Sequence, residues 1–228
     1  MTSHMIRVGL SIVAALALLN SQTTPSLSPP EPLPFSCDTF GPFVDEGTLK
    51  VQFGNANVTT GLVPWGGAEG DYNEGTILFA DRAEARLEIY WQNRVAKRTP
   101  EWVDIRGSSS QWRSPGGVTL GADLKTVERL NGRPFRLIGW GTDVGGALYS
   151  WESGLLARQD ADGCRIGFRF NPPDASASPD LRALLRQVTG DRPYSSGHPA
   201  MQALNPRINE AVIVLTRTER TPRGVQMR

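Results

Sequence analysis

Histidine is almost missing from this sequence. Two of its 228 residues are histidines, and one of these, His4, lies in an N-terminal stretch read below as a leader. The other, His198, stands in Ser-Gly-His-Pro. A His/Cys metal cluster is excluded for want of ligands, and no metal or other cofactor is expected. A Ser-His-Asp triad would need His198 with Ser195 or Ser196 in a loop. No Gly-x-Ser-x-Gly turn is present to present a nucleophile. The glycine-rich stretches lack the Gly-Lys-Ser/Thr ending of a phosphate-cradling loop.

Cysteine is nearly as scarce, with Cys37 and Cys164 alone. In an exported protein two cysteines are most simply one disulfide, and two unpaired thiols are the alternative. Lysine is limited to Lys50, Lys97 and Lys125 among 24 basic residues, the arginine bias of a GC-rich bacterial genome. Excess charge of one sign is missing too. Without Arg7 in the leader, 23 basic residues face 23 acidic ones. Nucleic-acid binders carry a basic footprint, and none is present.

What is there begins with an export pattern. Arg7 precedes an uncharged apolar run, Val8 to Leu19, and Asn20-Ser-Gln22 turns polar. A short apolar core behind a basic residue is what an export machinery reads. It is shorter than the roughly 20 apolar residues of a spanning helix. Residues 1–21 are therefore expected to be a signal peptide, and no stable membrane span is expected after cleavage. The Pro-rich residues 22–36 read as an extended spacer. A first α+β unit is expected over 37–113 and a second over 114–216. The basic stretch 217–228 reads as a disordered tail.

The middle of the chain says similar things twice. A helix-like stretch, Glu46 to Phe53, stops at Gly54-Asn55, and another, Ala122 to Leu130, stops at Asn131-Gly132. Leu124, Val127 and Leu130 recur at helical spacing behind Asp123, a capping residue. A short strand and a Trp-Gly follow each helix: Val58 to Val63 with Trp65-Gly66, and Phe135 to Ile138 with Trp140-Gly141. Further strands are expected at 76–80, 86–91, 147–151, 155–158 and 164–170, from period-two alternation and paired short runs. Ser178-Pro179-Asp180 opens a third helix, residues 191–206 read as a loop, and Val212 to Leu215 as a final strand. The fold class expected is α+β: two helix-plus-antiparallel-sheet units in tandem, with an additional C-terminal helix and strand.

Acids fall beside the two Trp-Gly loops: Glu69, Asp71 and Glu74 in the first half, Asp143 in the second. An acid beside an aromatic wall can grip a sugar or act as a raised-pKa acid. Asp143 with Glu74 or Asp71 is the candidate catalytic set, and Trp65 and Trp140 are candidate binding residues. The competing expectation is core tryptophans, turn glycines and solvated acids. Asp160-Ala-Asp162-Gly163 opens like a calcium loop but lacks the downstream ligands. It reads better as a hairpin turn.

The segment Leu130-Asn-Gly-Arg-Pro-Phe-Arg-Leu-Ile-Gly-Trp-Gly-Thr-Asp-Val-Gly-Gly146, with Ser150-Trp151 after it, resembles a group of bacterial secreted proteins with no assigned activity. The resemblance implies a periplasmic or extracellular location and no mechanism. The helix-then-sheet tandem is also similar, at the level of fold, to the β-lactamase-inhibitor protein and to small outer-membrane assembly lipoproteins. The function expected is a non-enzymatic binding or envelope-interaction module, with a protein or glycan of the cell envelope as partner. The alternatives are a carboxylate-based hydrolase of an envelope glycan and a purely structural accessory domain.

Overall fold

The computed structural model describes residues 31–64, 72–161 and 163–216. The expected signal peptide, most of the spacer and the tail lie outside the described residues, as do Trp65, Glu69, Asp71 and Asp162. The protein is a mixed α+β structure, mostly sheet. Its strands are β1 (Leu33–Pro34), β2 (Val58–Pro64), β3 (Tyr72–Leu78), β4 (Leu87–Asn93), β5 (Arg98–Arg106), β6 (Trp112–Arg113), β7 (Arg136–Ile138), β8 (Leu148–Ser150), β9 (Cys164–Asn171), β10 (Pro193–Ser195) and β11 (Arg207–Leu215). Four helices accompany them among the described residues: α1 (Glu46–Phe53), α2 (Leu124–Asn131), α3 (Pro179–Gln187) and α4 (Pro199–Leu204).

The helices start where side chains can cap them. Asp45, Asp123 and Ser178 accept hydrogen bonds from backbone N–H groups in the first turns of α1, α2 and α3. His198 does the same for α4 through Nδ1, with Pro199 at the first helical position. Residues 191–206 are therefore not wholly loop, since they hold β10 and α4. The strand expected over 155–158 is a 3₁₀ turn, Leu155–Gln159, because Asn131 Oδ1 takes the Leu156 N–H. Arg98–Arg106, which the sequence pattern passes over, is a full strand.

Six strands form one antiparallel sheet in the order β2-β3-β4-β5-β11-β9. The expected tandem would give each half its own sheet. Here β11 pairs with β5 on one side and β9 on the other, so strands of both halves share one sheet. The remaining second-half strands form a separate antiparallel sheet, β10-β7-β8, while β1 and β6 pair in parallel. Register fixes the two faces of the large sheet. Thr76, Ile89, Val103, Ile213 and Ile166 are successive cross-strand partners, and all are buried. Leu49 of α1, Leu124 and Val127 of α2, and Met201 and Leu204 of α4 join the same core. Helices thus cover this face, and the other is called here the open face.

The Cys37–Cys164 disulfide is present, with Cα atoms 6.0 Å apart. It ties the N-terminal segment to the first residue of β9. Among the described residues, no helix is long and apolar enough to cross a membrane.

Candidate functional site

Alternation decides which side chains reach the open face. With Val103 and Ile105 of β5 buried in the core, Trp102, Asp104 and Arg106 point the other way. Their cross-strand partners share that side: Val214, Val212 and Glu210 on β11, then Arg165, Gly167 and Arg169 on β9. On β4, Glu88 stands opposite Asp104. The centre of the open face therefore carries a charged row where an apolar strand would be the simpler solution.

Arg106 organises this row. Its Nε lies 2.6 Å from Asp104 Oδ2 and its Nη2 lies 2.9 Å from Glu210 Oε1. One planar guanidinium thus spans two carboxylates. Arg169 closes the group, with Nε 2.8 Å from Glu210 Oε2. Its Nη1 also donates to the Asp143 backbone carbonyl at 2.6 Å, which fastens the β7–β8 loop to the sheet. Asp104 is only 2% exposed. Its contact with Arg106 is a close ion pair with the N–H off line, and neither carboxylate oxygen accepts a hydrogen bond from the described residues. Burial pushes the Asp104 carboxyl up, Arg106 opposes it, and Glu210 and Glu88 push further, bringing it to about 7.

A cleft of about 640 Å³ opens beside this row. Its floor is Trp102, Val212 and Gly167, its charged rim is Arg106, Arg169 and Glu210, and its wall is the loop that carries Asp143 and Val144. The wall sits close because of Gly146. A Cβ there would lie 2.0 Å from the Phe170 carbonyl, and its φ is +76°. The Phe170 N–H donates to the Gly146 carbonyl, an anchor for the loop on β9.

The residues expected to act separate in space. Asp143 lines the cleft. Glu74 pairs with Leu62 and shares the face of Thr76, the covered side. It also sits four strand spacings from β9, roughly 19 Å. Asp143 and Glu74 therefore do not converge as a glycosidase pair. Trp140 is 7% exposed, and its indole N–H donates to the Phe170 carbonyl. Its ring is core, and the residues of its loop that line the cleft are Asp143 and Val144. Ser196 is buried, accepts the Phe135 N–H and donates to Glu128 Oε2, so it ties β10 and α2 together. No group of three or more His, Cys, Asp or Glu placed to hold a metal occurs among the described residues.

Sequence reading missed Trp102, Asp104, Arg106 and Glu210. The signal was the alternation Trp102-Val-Asp-Ile-Arg106, with one carboxylate in mid-strand. Comparison with protein-family models, curated proteins and solved structures gave no match to this chain.

Proposed function

We propose that this chain is an exported binding module whose ligand occupies the cleft on the open sheet face. The observation that carries the reading is the Arg106 bridge between buried Asp104 and Glu210 at the edge of that cleft. Holding charges in the middle of a sheet costs stability unless they are paired. Here they form a preset constellation of donors and acceptors around an apolar floor, the composition of a ligand site. Because Glu210 is gripped by two guanidiniums and Asp104 lies beneath Arg106, the group favours holding a ligand over attacking one. The expected export signal and the disulfide fit a partner in the cell envelope.

The test uses the full chain immobilised against an envelope extract, beside Asp143→Arg and Val144→Arg variants. Both substitutions sit on the cleft wall away from the core. Retained material should fall for both variants while their circular dichroism stays that of the parent. Equal retention by all three would remove the cleft from the reading.

One observation favours a second reading. A buried carboxyl near pH 7 next to an ion-paired carboxylate is also an acid–base pair of the kind that hydrolyses glycosides. It would require Arg106 to swing away, since Asp104 does not line the cleft. Glycan hydrolysis that is lost in Asp104→Asn would support it over simple binding.

A further inference from the structure

The cleft does not end at Gly167. A second cleft of about 490 Å³ lies on the same face and shares Leu148 and Gly167 with the first. It is lined by Tyr149, Trp151, Glu152, Asp160, Arg165 and Val214, among others. The junction stands open because residue 167 has no side chain. Even a Cβ there would come within 3.1 Å of Val212 Cγ1, and anything larger would fill the passage. We propose that the two clefts form one groove along β9 that binds a linear, uncharged oligosaccharide. This rests on the reading of the open-face cleft as the binding site and names the class of its ligand.

Length, charge and chemistry point the same way. From Arg165 to Arg169 the groove follows β9 for roughly 13 Å, longer than one sugar ring. The first cleft sets Arg106 and Arg169 against Asp143 and Glu210, and the second sets Arg165 against Glu152 and Asp160. Charges so nearly balanced give a ligand of either sign little to gain. A hydroxyl donates to a carboxylate and accepts from a guanidinium, so a neutral polyol uses both. Trp102 on β5, in register with Val214 and Arg165, and Tyr149 on β8, 59% exposed, offer aromatic surface for the apolar faces of sugar rings. Trp151 also lines the second cleft. It is 6% exposed, and its indole N–H has no hydrogen-bond partner among the described residues.

An extended peptide is the weaker fit. Such a ligand would add to the outer edge of β9. That edge is taken at three points: Ala161 pairs with Cys164, Asp160 Oδ1 accepts the Ile166 N–H, and Gly146 accepts the Phe170 N–H.

The experiment is calorimetric titration of the full chain with chitotetraose, cellotetraose, N-acetylglucosamine, glucose and tetragalacturonate. At least one neutral tetrasaccharide should bind about tenfold or more tighter than its monosaccharide, because two half-sites act through one ligand. Tetragalacturonate, with a carboxylate on each ring, should bind more weakly than the neutral tetramer. Gly167→Leu should reduce tetramer affinity to the monosaccharide level. Tyr149→Ala, an exposed change outside the core, should weaken the tetramer. Equal affinity for tetramer and monosaccharide, stronger binding of tetragalacturonate, or no binding of any sugar would overturn the inference. Absence of sugar binding together with retention of envelope material that Asp143→Arg abolishes would overturn the glycan class and leave the binding site standing. Tetramer binding that ignores Asp143→Arg, Gly167→Leu and Tyr149→Ala would overturn both.

Discussion

Glu88 on β4 and Asp104 on β5 occupy a paired register position on the open sheet face, acid against acid. Like charges directly opposed weaken a strand pair. The two are managed differently: Arg86 Nη2 lies 2.7 Å from Glu88 Oε1 at the surface, while Arg106 holds Asp104 in the interior.

The first prediction follows from the sign of the Asp104 shift. Its carboxyl is raised to about 7 by burial, with Arg106 acting against the rise and the neighbouring acids adding to it. The folded chain therefore holds a proton that the unfolded chain releases near pH 4. This group costs stability progressively as pH climbs from about 4 to 7, and the cost levels off above that. Asp104→Asn is neutral throughout. Its stability should match the parent near pH 3 and exceed it at pH 8 by on the order of 1–4 kcal/mol. Urea midpoints at the two pH values measure this, and a variant less stable at pH 8 would contradict a raised carboxyl.

Glu46 behaves in the opposite sense. Burial works to raise its pKa, but hydrogen bonds from Lys50, Lys97 and Thr76 outweigh it and bring the carboxyl to about 2. Lys50 Nζ and Lys97 Nζ lie 2.5 and 2.9 Å from its two oxygens, and Thr76 Oγ1 donates at 2.9 Å. The stabilisation is complete above the ordinary glutamate range, near pH 4, and is lost as pH falls through about 2. Glu46→Gln should cost up to about 3 kcal/mol at pH 7. The two proteins should become equally stable in strong acid. Acid titration followed by tryptophan fluorescence reads the convergence.

The disulfide supplies a third. Cys37 and Cys164 are 127 residues apart in sequence. Closing so long a loop restricts the unfolded chain, worth as much as about 4–5 kcal/mol in a chain-entropy account. Cys37→Ser with Cys164→Ser should lower the unfolding midpoint by a corresponding amount. Reductant should then have no further effect on the double variant, whereas it should destabilise the parent.

Trp140 gives the fourth. Its position in the core predicts that Trp140→Ala acts on stability, by about 3–5 kcal/mol. Trp140→Phe should cost less and still free the Phe170 carbonyl. Denaturant unfolding of the two variants tests the order. Unchanged stability with lost ligand binding would return Trp140 to the site.

Much of the architecture could be read from residue order. Capping by Asp123 and Ser178, the helical spacing of Leu124 and Val127, and the alternation of Cys164 to Phe170 are local signals, and each element formed. The Cys37–Cys164 pairing followed from scarcity. The site was less legible because no local pattern specifies a register. Arg98–Arg106 hides its strand character behind Pro100 and four charged side chains, and only its place between β4 and β11 makes sense of them. Asp104 and Glu210 lie 106 residues apart, joined through one guanidinium. Asp143 was singled out for standing beside a tryptophan. It does line the cleft, although that tryptophan turned inward and the cleft owes its floor to β5, β11 and β9.

The order of the large sheet bears on how the chain is made. β11 is the last strand along the described chain, yet it sits between β5 and β9. Until residues 207–215 exist, the first four strands have one edge unpaired and β9 has no sheet to join. Pairings this distant in sequence form slowly. A chain emerging from its N-terminus would thus leave this sheet incomplete until residues 207–215 had emerged. The groove along β9 takes shape only with that pairing, since Val212 and Val214 of β11 line it.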